Sequence, residues 1–472
     1  MRRFNWGRRL SVLPIWLFLT GLGVLLTACA AVKVQPAGPP PLPQHWQQAS
    51  GERDVFPAAD LRSWWTAFRD PGLNQMVRRA LTSNLDLEAA KARVRAAASW
   101  LGYRRQQFKP TLDFRTHNAQ PADTQDSYFQ FGLDASWELG LFGRTHAVRE
   151  AAQGEMDEVR ARAAGVRVAL VSQVAADYLR LKAGLKRCDF YTTIARLDRQ
   201  RLLLLQRQVH LGLASPAAVA HLQADVAENQ ALLPACKLEV RQSAQDLALL
   251  MGQSEPDPDW WQSSPFPVVS SPQFALPPAA LLRTRPDVRQ AEARVLQAAG
   301  ALGVAHANRY PSITLVAGLM WSTNVSRQHH VDRDFQAAPG LGPEIDIPLF
   351  DWGRRRAAED ARGAELRAAS LAYRQTVLKA VAEVEDAFAG LQAATQTLLQ
   401  RQHLLTAQQH LVAVQQQLAA LGLASPQDVL QVRGLRLQAQ AQLNLAQLQQ
   451  DLAFVTLYQA YGGPPFEPGD QG

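Results

Sequence analysis

The sequence predicts a mixed α/β membrane protein made of two tandem copies of one unit. Each copy carries a membrane-type β-hairpin and a long α-helical hairpin. Three observations predict it. The hexapeptide LGLASP stands at Leu211 to Pro216 and again at Leu421 to Pro426, 210 positions later. Apolar residues recur every seven positions over stretches far longer than an ordinary helix. Short segments alternate apolar and polar residues over on the order of 10 positions, the length of a tilted membrane strand.

Taken in chain order, the first element is a secretion signal, residues 1–28. Arg2, Arg3, Arg8 and Arg9 precede the uncharged run LPIWLFLTGLGVLLTA, which stops at Cys29. The ending Leu26-Thr27-Ala28-Cys29 resembles the lipobox of bacterial lipoproteins, which implies cleavage before Cys29 and acylation of that cysteine. A plain signal peptide with an incidental cysteine is the competing reading. Ala30 would follow the lipid, not the aspartate that retains lipoproteins at the inner membrane, so the resemblance implies outer-membrane sorting. Each buried CH2 of such an anchor contributes about 0.8 kcal/mol. Residues 29–63 form the lipidated N-terminus and a tether that is proline-rich from Val34 to Pro43.

Charge excludes one class of partner. The formal charge is +7, from 49 basic and 42 acidic residues, but four arginines belong to the signal and the rest are spread along the chain. No basic patch of the kind that neutralises phosphates stands out, so nucleic acid is not an expected partner.

The first copy spans 64–252 and the second 286–463, with a proline-rich connector at 253–285 and a tail at 464–472. Gly143 and Arg144 in ELGLFGR match Gly353 and Arg354 in IPLFDWGR at the same spacing as the hexapeptides. DLEAAKARV (Asp86 to Val94) matches DVRQAEARV (Asp287 to Val295), and Pro110 matches Pro311, now 201 positions apart. The second copy therefore holds nine extra residues between Pro311 and Gly353, which belong in a loop.

Strands are expected at Thr111 to Thr116, Phe129 to Leu139, Ile313 to Trp321 and Leu341 to Phe350, within β-hairpins 110–140 and 311–350. Pro343 and Pro348 weaken the last as an ordinary ladder strand. Phe129, Phe131, Leu133, Ala135, Trp137 and Leu139 make one face greasy, while the residues between them are mostly polar. Bacterial membrane barrels start at eight strands, so four per chain demand an oligomer if they lie in a membrane.

The helical hairpins follow. In the second copy Val377, Val384, Leu391, Leu398, Leu405, Val412 and Ala419 keep a seven-residue period, with Leu404, Leu411 and Leu418 on the neighbouring row. The first copy keeps it at Val174, Leu181, Cys188, Ala195, Leu202 and Val209, and its returning helix at Leu222, Val226, Asn229, Leu233, Cys236, Val240, Ser243, Leu247 and Leu250. Such a period supercoils helices around partners. One helix from Arg144 to Leu211 would be ~100 Å long at 1.5 Å per residue. In LGLASP, Gly212 stops a helix, Ser215 caps the next and Pro216 suits its first position, so each copy of the phrase is a hairpin tip.

Together WWTAFRDPGLNQMVRRALTSNLDLEAAKARVRAA (Trp64 to Ala97), ELGLFGR, RPDVRQAEARV, RYPSITL, PLFDWGRRR and the paired LGLASP turns resemble the outer-membrane efflux proteins, the TolC-like outer-membrane factors, and specifically their NodT-type lipoproteins. The resemblance covers nearly all of the chain from about Trp64 to Gly463. It implies a homotrimer in which each chain gives four strands to one twelve-stranded transmembrane barrel in the outer membrane of a Gram-negative bacterium. A helical coiled-coil barrel continues it through the periplasm. Its partners would be a periplasmic adaptor (membrane fusion) protein and an inner-membrane transporter of the resistance-nodulation-division type, with outer-membrane lipid around the strands. The implied function is a passive, gated conduit of a tripartite efflux pump. The exit duct of a type I secretion system and a non-conducting periplasm-spanning tether are the alternatives.

By the same resemblance Asp428 matches an acid at the constricted pore entrance, and Gln431 stands where a second acid is frequent. Any carboxylate ring would then be single and its cation preference weaker. The competing reading makes Ser425 and Asp428 a helix capping box. The tips Leu211, Gly212, Leu213, Ala214, Ser215, Pro216 and Leu421, Gly422, Leu423, Ala424, Ser425, Pro426 are candidates for adaptor docking; plain turn chemistry is the other reading. Gly143, Arg144, Gly353 and Arg354 mark the strand-to-helix turns. Cys188 and Cys236 stand equally far from the first tip, on the apolar stripe. They are either a disulfide in an oxidising compartment or two small buried hydrophobes. His329 and His330 lie in the inserted loop and are too few for a metal site. Five methionines trace no copper path. No catalytic or phosphate-cradling motif occurs, so neither enzyme nor cofactor is expected.

Overall fold

The structure is a computed structural model that describes residues 38–44, 46, 61–119, 128–262, 266–267, 278–324 and 336–463. The signal, Cys29, most of the tether, His329, His330 and the tail lie outside the described residues. The main elements run α1 (Pro71–Ser83), α2 (Leu85–Gln106), β1 (Thr111–Ala119), β2 (Tyr128–Glu138), α3 (Arg144–His210), α4 (Pro216–Leu250), α5 (Pro286–Ala307), β3 (Ser312–Asn324), β4 (Gln336–Asp346), α6 (Arg354–Ala420) and α7 (Pro426–Tyr461). The long helices α3 and α6 have 67 residues each.

The chain divides into two compact units, and neither coincides with one copy. Among the described residues, one lies within 96–157 and 292–372, together with Gly38, and the other within 39–95, 158–291 and 373–463.

The first unit holds a sheet of four antiparallel strands in chain order, β1-β2-β3-β4, with β1 and β4 at its edges. The register pairs Leu112 with Ala135, Phe131 with Trp321, and Leu315 with Pro343, so apolar residues share one face. Aromatic rings line that face: Phe131 stacks on Trp321 with centroids 5.7 Å apart and lies 6.4 Å from Phe114. The opposite face carries Asp113, Asp134, Thr314 and Glu344.

Three strands depart from expectation, the first of them β3, which runs three residues past Trp321 to Asn324 opposite Tyr128. β1 runs on to Ala119, because Asn118 and Ala119 find partners in Phe129 and Tyr128 despite their polar neighbourhood. β4 starts at Gln336 and ends at Asp346, earlier than the expected Leu341 to Phe350. Its apolar alternation continues past Asp346, but β3 begins at Ser312, so Ile347 and its successors have no ladder to join. Pro339 and Pro343 are four positions apart and share one parity. Their missing donors therefore fall on one side of β4, as only an edge strand tolerates.

The second unit is helical. Asp70 caps α1 by accepting the Leu73 N–H at 2.9 Å, and Pro71 fills the first position. Asn84 is buried because it does two jobs: its Oδ1 accepts from Leu87 N and its Nδ2 donates to Leu250 O, both at 2.9 Å. An aromatic core joins Trp64, Phe68, Phe454 and Tyr458, with Trp64 stacked on Tyr458 at 4.8 Å. The guanidinium of Arg285 donates to both Asp287 oxygens, to Glu383 and to the Ala460 carbonyl. Burial raises the Asp287 carboxyl, but Arg285 outweighs it and holds the group below its ordinary range.

The heptad stripes lie where the periodicity puts them. Val377, Val384, Leu391, Leu398 and Val412 are buried along α6, and Leu222, Val226, Cys236, Val240, Ser243 and Leu247 along α4. Among the described residues no helix is long and apolar enough to cross a membrane.

Candidate functional site

Both tips are built by the same hydrogen bonds. At the first, Gly212 takes φ +72°, its N–H donates to Val209 O at 3.0 Å and Leu213 N–H donates to Gln208 O at 2.8 Å. At the second, Gly422 takes φ +75°, with Gly422 N to Ala419 O at 3.1 Å and Leu423 N to Leu418 O at 2.9 Å. These are Schellman closures, which need glycine at the left-handed position and satisfy the last carbonyls. Ser215 then accepts from Ala218 N at 3.3 Å, and Ser425 from Asp428 N at 3.2 Å. Leu211, Leu213, Leu421 and Leu423 are each about seven-tenths exposed, as 69, 75, 73 and 73%. Two apolar side chains thus stand out from each closed turn.

One difference just after the tips changes the cap. Asp428 accepts from Ser425 N–H at 3.0 Å and from Ser425 Oγ at 2.8 Å, completing a capping box, whereas Ala218 holds that place in the first copy. The carboxylate of Asp428 and the amide of Gln431 are exposed. Capping uses one oxygen of Asp428 and leaves the carboxylate facing solvent, so one residue can serve both readings.

Above the tips lies a polar chain that pattern reasoning missed. Gln438 on α7 donates to Asn229 on α4 at 3.1 Å, and Asn229 donates to Asp198 on α3 at 3.0 Å. Asp198 is 2% exposed, and burial raises its carboxyl above the ordinary range against the pull of Asn229 and Arg201. These groups line a cavity of about 310 Å³ with Gln431, Asp225 and Glu228. Asn229 was the available signal: it is the amide on an otherwise mostly apolar stripe.

At the strand-to-helix turns Gly143 and Gly353 take φ +82° and +81°. Arg144 Nε reaches Glu138 at 2.8 Å, and its guanidinium also donates to Asn308. Arg354 has no such role; Asp351 organises the second turn instead, accepting from Gly353 N at 3.1 Å and Arg355 N at 3.0 Å. The N–H of Arg355 is the main cause holding Asp351 below the ordinary carboxylate range.

Cys188 on α3 and Cys236 on α4 are joined across the hairpin, with Cα atoms 5.8 Å apart. Among the described residues no group of three or more His, Cys, Asp or Glu is placed to hold a metal ion.

The outer membrane efflux protein family matches residues 76–253 and 277–463 of the chain. Nodulation protein T of Rhizobium leguminosarum bv. viciae is 28% identical over 438 residues, 92% of this chain and 89% of that protein. The pyoverdine export outer membrane protein OpmQ of Pseudomonas aeruginosa is 29% identical over 469 residues, 93% of this chain and 96% of that protein. Among solved structures the outer-membrane channel OprN superposes with a TM-score of 0.78 at 24% identity, covering 92% of this chain and all of that one.

Proposed function

The chain belongs to the outer membrane efflux protein family, and on that premise we propose that it is the outer-membrane duct of a tripartite efflux pump, anchored by lipid at Cys29 and assembled as a homotrimer. Each chain gives four strands to a twelve-stranded barrel, and the helical hairpins prolong the passage into the periplasm. The protein is a transport component and not an enzyme. Energy comes from an inner-membrane transporter of the resistance-nodulation-division type, and a periplasmic adaptor docks on the exposed leucines of the tips. Small molecules pass through a lumen walled by the polar sheet face.

One observation carries the reading: a four-stranded sheet with one apolar face, one polar face and two open edges. A lone sheet of this kind leaves backbone groups unpaired, which is untenable in hydrocarbon, so the edges must meet those of other copies. Leu371, Leu378 and Leu399 on α6 support the same demand, because all three are large apolar side chains left exposed on the single chain. Asp428 gives the closed end a single acidic ring, and adaptor binding opens it through higher affinity for the open state.

The test is a planar-bilayer recording of the detergent-purified, full-length protein, with its mass measured in the same preparation. A trimer that conducts in discrete steps, and opens more when Asp428 is changed to Ala, is the expected result. A monomer, or a trimer that never conducts even as Asp428→Ala, overturns the duct and leaves a periplasm-spanning tether.

A further inference from the structure

The first helical hairpin is divided into two mechanically different parts, and the division falls at one level. On α3 and α4 the Cys188–Cys236 bridge closes a loop of 48 positions. Beside it Arg187, with a side chain 6% exposed, pairs with Glu239. One turn further from the tip, a Cβ placed on Gly184 would stand 2.7 Å from Cγ2 of Val240, so the helices approach closely there. Covalent bond, ion pair and tight packing thus pin the two helices together over little more than one turn.

Immediately tip-ward of that clamp, α4 stays helical but loses one hydrogen bond of its ladder. Pro234 lies inside the helix, two residues before Cys236. Proline has no N–H to give the carbonyl of Gln230, and its ring crowds that carbonyl, so the ladder is broken where the clamp ends. Tip-ward of Pro234 the two helices meet without a covalent tie, through contacts that include the Asp198–Asn229 hydrogen bond and a cluster of Leu205, Leu222 and Val226 with Leu202, Ala218 and Val219 packed against it.

The second hairpin has neither device. Its equivalent positions hold Leu398 and Ala446 for the cysteines, and Asn444 for Pro234. There α7 runs through uninterrupted from Pro426 to Tyr461.

We propose that Pro234 and the Cys188–Cys236 bridge form a fulcrum in the first hairpin: the tip-ward part of α4, up to about Leu233, bends at Pro234 against the continuous α3, while the oxidised bridge holds α3 and α4 in register behind it. This rests on the reading of the tips as the moving end of a gated duct. Reduction of the bridge to two thiols by an added phosphine, which is itself oxidised to the phosphine oxide, lets the helices shift past one another behind Pro234, which dissipates the bend. A bridge placed away from any break would only stiffen the hairpin; set two residues from a proline, it defines where bending stops.

Hydrogen exchange on the full-length assembled protein tests it with three samples: wild type, Pro234→Ala, and wild type reduced after assembly with a phosphine. Restoring the ladder in Pro234→Ala should slow exchange of Asn229–Leu233 on the order of a hundredfold. Reduction should speed exchange around Gly184–Cys188 and Cys236–Val240 on the order of tenfold or more, and leave the segments around Leu398 and Ala446 unmoved. Pro234→Ala should also lower the open probability in planar bilayers. Unchanged exchange at Asn229–Leu233 in Pro234→Ala, or reduction acting equally on both hairpins or on neither, overturns the fulcrum. Because exchange reads the hinge without requiring conduction, a conducting channel with unchanged exchange sinks the fulcrum alone. Absent conduction in wild type sinks the duct.

Discussion

The two helical hairpins share a ground plan and differ in how they are held. Both long helices have 67 residues, both returning helices start at a serine cap followed by proline, and both tips close with the same hydrogen bonds. Yet α3 is buried on several sides from Ala161 to Ala183, while α6 over Tyr373 to Leu391 buries a narrow stripe and exposes Leu378. The first hairpin carries a disulfide and an interior proline, and the second carries neither. What the turn and the register require is common to both hairpins, and much of the rest differs. The turn is set by glycine's access to positive φ and the register by the heptad, so both resist change. Which face is covered depends on neighbours, so it drifts.

The sharpest way to break this comparison is to remove the bridge. In the chain-entropy account a closed loop of 48 positions contributes about 4 kcal/mol, and only the first hairpin enjoys it. Cys188→Ser with Cys236→Ser should therefore lower the urea midpoint for loss of the first hairpin. Helical circular dichroism would follow the loss, with limited proteolysis assigning which hairpin opens first. Reductant should reproduce the shift in wild type and do nothing further to the double variant. Opening of the second hairpin first, in both proteins, would mean the bridge is not what distinguishes them.

Much of the architecture was legible because it rests on short-range rules. The periods of seven placed the buried residues of α4 and α6, and LGLASP placed both turns, since every atom needed lies within a few residues. The β4 boundary was not legible, for its end is decided by where β3 begins, which is a tertiary fact about Ser312. The division into two compact units was hidden for a like reason: each collects chain from both copies. Asp198 and Gln438 were missed because neither breaks a pattern by itself. Only Asn229, an amide on an apolar stripe, hinted that a polar chain was needed there. Arg354 was marked by its match to Arg144, but the second turn relies on Asp351, because the partner that Arg144 finds in Glu138 belongs to a strand register no repeat guarantees.

That polar chain gives a second, smaller test. Asp198 is ionisable, whereas Gln408 holds the equivalent place in the second hairpin. Burial raises the folded Asp198 carboxyl above its ordinary range, so the folded state binds the proton more tightly than the unfolded one. First-hairpin stability should thus fall as pH rises from the ordinary carboxylate pKa through the raised value, and recover on acidification. Asp198→Asn should abolish that slope, and Asp198→Ala should cost about 2 kcal/mol by leaving Asn229 and Arg201 without their acceptor. Thermal midpoints taken across the acid range check both, and a slope that survives in Asp198→Asn would assign the titration to another group.

The smallest expected difference lies at the caps, where Asp428 stands against Ala218. Ser215 accepts a single hydrogen bond from Ala218 N. Ser425 accepts from Asp428 N and is answered by the Asp428 carboxylate, which takes both the N–H and the hydroxyl of Ser425. Losing a serine cap costs about 1 kcal/mol, and a reciprocal box loses two interactions at once. Ser425→Ala should therefore destabilise its hairpin more than Ser215→Ala does, by a few tenths to about 1 kcal/mol. The change should also take the hydroxyl donor from the Asp428 carboxylate and leave it only the backbone N–H of position 425 as a local partner. If Asp428 forms an acidic ring around an aperture, Ser425→Ala should sharpen cation preference in a reversal-potential measurement, while Ser215→Ala leaves it alone. Equal costs at the two serines, with no change in reversal potential, would mean that Asp428 neither caps nor guards the tip in the assembled protein.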